Sequence, residues 1–205
     1  GLKDKVALVT ASSKGLGAAT ALEFAREGAR VAMCARSKDL LEKRAEEIKS
    51  ETGVEPLVIE ADLTNRDDVE RVVATTRETY GRIDALFINA GGPPPGQFVE
   101  LDEQAWQDAV ELTLMSAVRL VRETLPIMRE QGGGSILATT SVSVKQPVDG
   151  LLLSNALRLG VTGMLKTLAN EVGPEGIRVN MVLPGWTKTQ RAVQLLGARA
   201  EKDGT

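Results

Sequence analysis

Between residues 10 and 17 the chain reads Thr10-Ala11-Ser12-Ser13-Lys14-Gly15-Leu16-Gly17. Small hydroxyl side chains, one cation and two glycines in such a run let backbone amides close around an anion. Glycine removes the side chain where main chain must approach a pyrophosphate, and a helix starting beneath it offers unpaired N–H groups and the positive end of its dipole. The flanks suit that use. Lys5-Val6-Ala7-Leu8-Val9 is an apolar run fit for a strand covered on both faces, and Ala18-Ala19-Thr20-Ala21-Leu22-Glu23-Phe24 opens a helix. A dinucleotide is the natural guest of this cradle. An ordinary strand-to-helix turn satisfies the same short pattern, and only context separates the two.

A second group of residues bears on which dinucleotide is held. An acid at the end of the second strand would accept hydrogen bonds from a ribose 2′-hydroxyl and repel a 2′-phosphate. This chain has Ala35-Arg36-Ser37 there. Arg36 can make a forked, charge-assisted contact to phosphate, and Lys14 can reach the same group. The expectation is NADP(H) in preference to NAD(H), against the plainer reading of two surface cations.

The elements that must position these groups alternate. Strand patterns at 30–35, 57–62, 83–88, 135–140 and 177–182 follow the first strand, separated by helical patterns at 38–50, 67–79, 102–131 and 151–172. Strands joined by helices cross over with one hand, which brings every strand's carboxyl end to one edge, where ligands bind. The fold class is therefore α/β, a doubly wound parallel sheet with helices on both faces. No repeat, low-complexity stretch or linker divides the chain, so residues 1–205 read as a single dinucleotide-binding domain. The stiff run Gly91-Gly92-Pro93-Pro94-Pro95-Gly96 after the fourth strand reads as a rigid wall of the ligand site or as a rigid surface turn.

Composition limits the partners. With 205 residues, 42% hydrophobic and 26% charged, the chain suits one well-filled soluble core. A net charge of −3 with mixed signs offers no basic stripe for nucleic acid, and no apolar run reaches the length of a membrane span. Histidine is absent and the sole cysteine is Cys34, so no metal is expected and no internal disulfide is possible. A cytoplasmic protein acting on a small molecule is the expectation, with no targeting segment evident at the amino terminus.

Thr10 to Gly17, Asp62-Leu63, Asn89-Ala90-Gly91, Ser141, Asn180, and Pro184-Gly185 with Thr189 together resemble the short-chain dehydrogenase/reductase family, over nearly the whole chain. The resemblance implies that Thr10, Lys14, Gly15, Leu16 and Gly17 surround the phosphates and that Asp62 and Leu63 flank the adenine. It also implies that Asn89, Ala90 and Gly91 line the cleft, with Pro184, Gly185 and Thr189 beside the nicotinamide and phosphates. Ala11 departs from the family's usual glycine, a substitution that is strained only if its φ is positive. By resemblance the long helices at 102–131 and 151–172 pair subunits into a homodimer or homotetramer, although their apolar residues can equally all belong to the core.

The same resemblance exposes a gap. Family members pass hydride between nicotinamide and a carbonyl carbon while a tyrosine donates the proton, tuned by a lysine four residues later. In this chain Leu151 and Asn155 fall at the matching positions, Thr113 replaces a helical asparagine, and the sole tyrosine, Tyr80, lies toward the opposite edge of the sheet. Ser141 remains, either to orient a carbonyl or to satisfy local backbone, with Ser143 as an alternative. Asn155 retains the ability to bond a ribose hydroxyl. Lys145 is a substitute acid if burial lowers its pKa, and otherwise a solvated loop lysine. Two functions follow: a carbonyl or alcohol oxidoreductase with an atypical proton donor, close to the 3-oxoacyl-carrier-protein reductases, or a non-catalytic NADP(H)-binding sensor or partner protein. A helix at 190–202 is expected as part of a substrate lid, and the family's last strand is missing from the sequence.

Overall fold

The structure is a computed structural model that describes residues 1–189 together with 192, 193 and 197. The expected helix at 190–202 lies outside that set apart from three of its positions.

Six parallel strands form one sheet in the order β3-β2-β1-β4-β5-β6. They are β1 (Val6–Thr10), β2 (Arg30–Ala35), β3 (Leu57–Glu60), β4 (Ala85–Ile88), β5 (Gly134–Thr139) and β6 (Ile177–Val182). The intervening helices are α1 (Gly15–Arg26), α2 (Lys38–Thr52), α3 (Arg66–Tyr80), α4 (Glu103–Ala109), α5 (Ser116–Glu130) and α6 (Leu152–Val172). The order reverses between β1 and β4, leaving a crevice at their carboxyl ends.

Period-two alternation sends strand side chains to two cores. Ala7, Val9, Val31, Met33 and Phe87 meet Ala21, Ala25, Leu41 and Ile48 of α1 and α2. Leu8, Ala32, Cys34, Ile59, Leu86 and Ile136 meet Val69, Val73, Leu120, Val161 and Leu165 of α3, α5 and α6. Every β1 residue is buried, as its unbroken apolar run requires. Cys34 is one of these core residues, and burial pushes its thiol up to about 12.

The helix expected at 102–131 is interrupted. Between α4 and α5 the chain makes a π-helical turn, Val110–Met115, which contains Thr113. Pro126 sits inside α5 with helical backbone on either side. At the amino-terminal edge of the sheet Asp84 ties three elements together. It accepts from the Val6 amide at 2.9 Å, from Arg82 at 2.7 and 2.9 Å, and from Lys5 at 3.3 Å.

Candidate active site

The glycine loop is held from below by its own hydroxyl residues. Thr10, fully buried, accepts the Asn89 amide at 2.9 Å and donates to the Asn89 carbonyl at 2.7 Å, joining the ends of β1 and β4. Ser12, also fully buried, directs both its amide and its hydroxyl at the Cys34 carbonyl, 3.0 and 3.3 Å away. The Asn89 carboxamide donates to the Ala11 carbonyl at 3.4 Å. These three residues shape the cradle. Ser13 and Leu16 are half-buried, and Lys14 and Gly15 are exposed above them.

The backbone explains the glycines. Gly15 has φ +59° and Ala11 has φ +47°, so the alanine occupies the left-handed region where a glycine is relaxed. A methyl group on Gly17 would stand 2.4 Å from the Ala11 carbonyl oxygen and 2.9 Å from the Asn89 amide nitrogen. Gly17 thus lets α1 start hard against the loop. No side chain caps that helix start and no acid lies in its first turn, which leaves it disposed toward an anion. Thr189 comes within 3.6 Å of where a Gly15 methyl would be, so the segment after β6 lies over the same loop.

Beyond β2 and β3 an open cleft of about 770 Å³ is lined by Arg36, Lys38, Glu60, Asp62, Asp68 and Arg71, among others. Asp68 accepts the Asp62 amide at 2.8 Å, and that bond, reinforced by Arg71, holds the Asp68 carboxyl below its ordinary range. Asp62 in turn accepts from the Thr64 amide and hydroxyl at 3.0 and 2.9 Å. Arg71 is paired with Asp68 and Lys38 with Glu42, whereas Arg36 makes no ion pair among the described residues. Ser37 precedes α2 without capping it. Leu63, which follows Asp62, is buried in the core.

On the other side of the crevice, after β5, Ser141 starts a short 3₁₀ turn, Val142–Val144, by accepting the Ser143 amide at 3.1 Å. Pro184 accepts the Val142 amide at 3.0 Å and anchors this turn to the loop after β6, where Gly185 is exposed. Ser143 is 1% exposed and its buried hydroxyl has no partner within the protein. Lys145 is exposed at the end of the turn, as the solvated alternative has it. The Asn155 carboxamide is engaged at both ends with the Val148 peptide, at 2.9 and 3.4 Å, and so braces the loop before α6.

Gly96 pairs with Leu151 as an isolated parallel bridge and its amide donates to the Gly150 carbonyl at 2.8 Å. The proline-rich stretch is therefore pinned to the entry of α6, with Ala90 and Gly91 at its base. Tyr80 ends α3, with its hydroxyl 3.5 Å from the Val31 carbonyl and its ring under Arg30 at 5.4 Å, on the far edge of the sheet as expected.

The sequence reading missed one pair. Ser154 and Arg158, one turn apart on α6, are joined by a 3.1 Å bond from Nε to Oγ. Arg158 also donates to the Thr139 and Thr140 carbonyls at 3.1 and 3.4 Å, at the carboxyl end of β5. Their four-residue spacing was the available signal.

Two parallel-sheet halves, a switch point and a glycine loop at the first turn define a doubly wound α/β protein of the Rossmann type. A sequence profile described as short chain dehydrogenase matches residues 5–199, and the chain belongs to that family of oxidoreductases. It is 35% identical over 184 residues to the 3-oxoacyl-[acyl-carrier-protein] reductase FabG of Staphylococcus epidermidis, covering 89% of this chain and 75% of that protein. L-sorbose reductase from Gluconobacter frateurii, complexed with NADPH and L-sorbose, superposes with a TM-score of 0.93 at 35% identity, covering all of this chain and 78% of that one. The 3-ketoacyl-(acyl-carrier-protein) reductase of Brucella melitensis, complexed with NADH, gives 0.88 at 28% identity over 94% of this chain and 80% of that one. Among the described residues no helix is long and apolar enough to cross a membrane, and no cluster of acids or cysteine could hold a metal.

Proposed function

We propose that this protein is an NADP(H)-dependent oxidoreductase interconverting a carbonyl and an alcohol, with a proton donor other than the tyrosine its family resemblance leads one to expect. The observation that carries the reading is the line of features along one crevice: the uncapped start of α1 with Thr189 above Gly15, and the cleft holding Arg36 beyond it. The residues fit the coenzyme. An exposed Lys14 and an α1 start free of acids suit a pyrophosphate, and Asp62 borders space for an adenosine. Arg36 at the end of β2, with Lys38 nearby, favours a 2′-phosphate over a bare ribose.

When bound, the nicotinamide ring supplies or accepts hydride. The chain's own contribution is to hold the dinucleotide, exclude water and place hydrogen-bond donors near the reacting carbonyl. Loss of a positioned general acid removes about 10² to 10⁴ in rate, far less than enzymes supply in total, so a crevice without tyrosine remains able to catalyse. The substrates named for these relatives, a 3-oxoacyl carrier and L-sorbose, both carry ketones, which suits a carbonyl substrate here.

Fluorescence titration with NADPH and NADH tests the coenzyme half of the reading. Tighter NADPH binding is expected, with the preference reduced about tenfold or more in Arg36→Ala. Equal affinities in the parent protein would remove the argument. Following nicotinamide absorbance with ketones and aldehydes tests the catalytic half. Activity appearing only in a Leu151→Tyr, Asn155→Lys double variant would favour a non-catalytic binding protein instead.

A further inference from the structure

We infer that the substrate is a neutral ketone or aldehyde carrying an apolar chain or ring, and that the loops following β4, β5 and β6 receive its apolar part. This inference names a substrate for the crevice and rests on the oxidoreductase reading above. That reading puts the adenosine in the cleft after β2 and β3, so the reacting end and its substrate fall across the switch point, to β4, β5 and β6. The two sides differ in charge. Arg36, Lys38, Glu60, Asp62, Asp68 and Arg71 line the adenosine side, whereas residues 85–99, 134–144 and 179–187 contain no aspartate, glutamate, lysine or arginine. Whichever way their side chains turn, these stretches offer no ion pair to a carboxylate, phosphate or ammonium group, and a charge entering them would lose hydration without gaining a partner. Lys145 and Lys188, next along the chain after two of the stretches, are exposed, and Arg158 is engaged by the Thr139 and Thr140 carbonyls at 3.1 and 3.4 Å.

The same stretches leave apolar surface uncovered. Among the described residues eight large hydrophobic side chains are exposed, and five of them, Phe98, Val99, Val142, Val182 and Trp186, lie here. Of the six aromatic residues in the chain, Phe98 and Trp186 are the exposed ones, at 73% and 54%. Concentration of such side chains on one edge marks a binding surface rather than the scatter of an ordinary exterior. The loops that carry them are joined. The Val142 amide donates to the Pro184 carbonyl at 3.0 Å, two residues before Trp186. The Gly96 amide, two residues before Phe98, donates to the Gly150 carbonyl at 2.8 Å, and α6, which starts just beyond, packs on the 3₁₀ turn Val142–Val144. Pro93, Pro94 and Pro95 stiffen the first loop, so an apolar group meets a surface already shaped, with little left to order.

Nicotinamide absorbance at saturating NADPH gives kcat/KM for 2-butanone, 2-hexanone and 2-octanone, and for the anion 3-oxobutanoate and the polyol L-sorbose. A gain of roughly two- to fourfold per added methylene is expected, with 3-oxobutanoate and L-sorbose below 2-butanone. Trp186→Ser and Phe98→Ser should each lower kcat/KM for 2-octanone about tenfold more than for 2-butanone, through KM, with NADPH affinity retained. A variant that was merely destabilised would lower both ketones alike. Tryptophan emission reads binding without turnover: in Trp106→Phe, where Trp186 is the sole tryptophan, 2-octanone should shift the emission of the NADP⁺-loaded protein at lower concentration than 2-butanone does. A flat ketone series, or a preference for 3-oxobutanoate or L-sorbose, overturns the proposal. So does an emission that follows protein concentration and ignores the ketones, which would assign the surface to a contact between copies. Ketone-dependent emission without turnover supports the apolar surface and overturns the oxidoreductase reading. Failure to bind either coenzyme overturns that reading, and the proposal with it.

Discussion

Replacing Gly17 by alanine probes the cradle with one methyl group. The new Cβ would stand 2.4 Å from the Ala11 carbonyl oxygen and 2.9 Å from its carbon, both backbone atoms, and 2.9 Å from the Asn89 amide nitrogen. A carbon and an oxygen rest comfortably at about 3.3 Å or more, so α1 and the loop must separate by roughly 1 Å. The loop cannot yield freely. Ala11 already holds a left-handed φ of +47°, and Ser12 and Thr10 are tied to Cys34 and Asn89. Overpacking of this kind costs about 1–3 kcal/mol, and alanine recovers about 1 kcal/mol of helix propensity. We therefore expect net destabilisation of up to about 2 kcal/mol, a fall in Tm of up to roughly 8 °C for a chain of this size. NADPH affinity should fall at least tenfold, since the displaced amides are those we propose to meet the phosphates. Urea denaturation and coenzyme titration read the two effects. An unchanged midpoint together with parental affinity would refute the steric account. Gly15→Ala is the control. Its methyl would meet only Thr189, at 3.6 Å, so its penalty comes from φ +59° rather than collision.

Further outcomes follow from the far edge and the core. Burial raises the Asp84 carboxyl, but Arg82, the Val6 amide and Lys5 outweigh it and hold the group below its ordinary 3.8. A carboxyl depressed in the folded state contributes stability that is complete above its unfolded value and lost as pH falls through its folded one. Unfolding free energy should thus drop between about pH 5 and pH 2 more steeply in the parent than in Asp84→Asn, which itself costs about 1–3 kcal/mol at neutral pH; parallel pH profiles would contradict this. Cys34 is fully buried with its thiol pushed up to about 12. It should resist a disulfide reagent at pH 8 until denaturant is added, and rapid modification of the native protein would contradict its placement.

The strands were legible because each is a short run rich in apolar residues, with β1 and nearly all of β2 buried on both sides, and the glycine loop, Arg36 and Asp62 because they fall where those runs end. The π-helical turn at 110–115 was not, since one widened turn leaves the apolar spacing of a long helix almost unchanged and shows only in five-residue backbone bonds such as that from the Ser116 amide to the Glu111 carbonyl. The Ser154 and Arg158 pair on α6 was hidden for a related reason. Positions 151 and 155 are one four-residue pair and 154 and 158 another, and a three-residue step on a helix turns about 300°, bringing the two pairs within about 60° of the same face. Spacing alone does not choose between them. What chooses is where each polar end goes. Asn155 turns back to Val148 and closes a loop, whereas Arg158 reaches the final carbonyls of β5 and presents Ser154 beside them. A sequence records which residues share a helix face, but only the seating of α6 at the carboxyl end of β5 determines which carbonyl each polar side chain reaches.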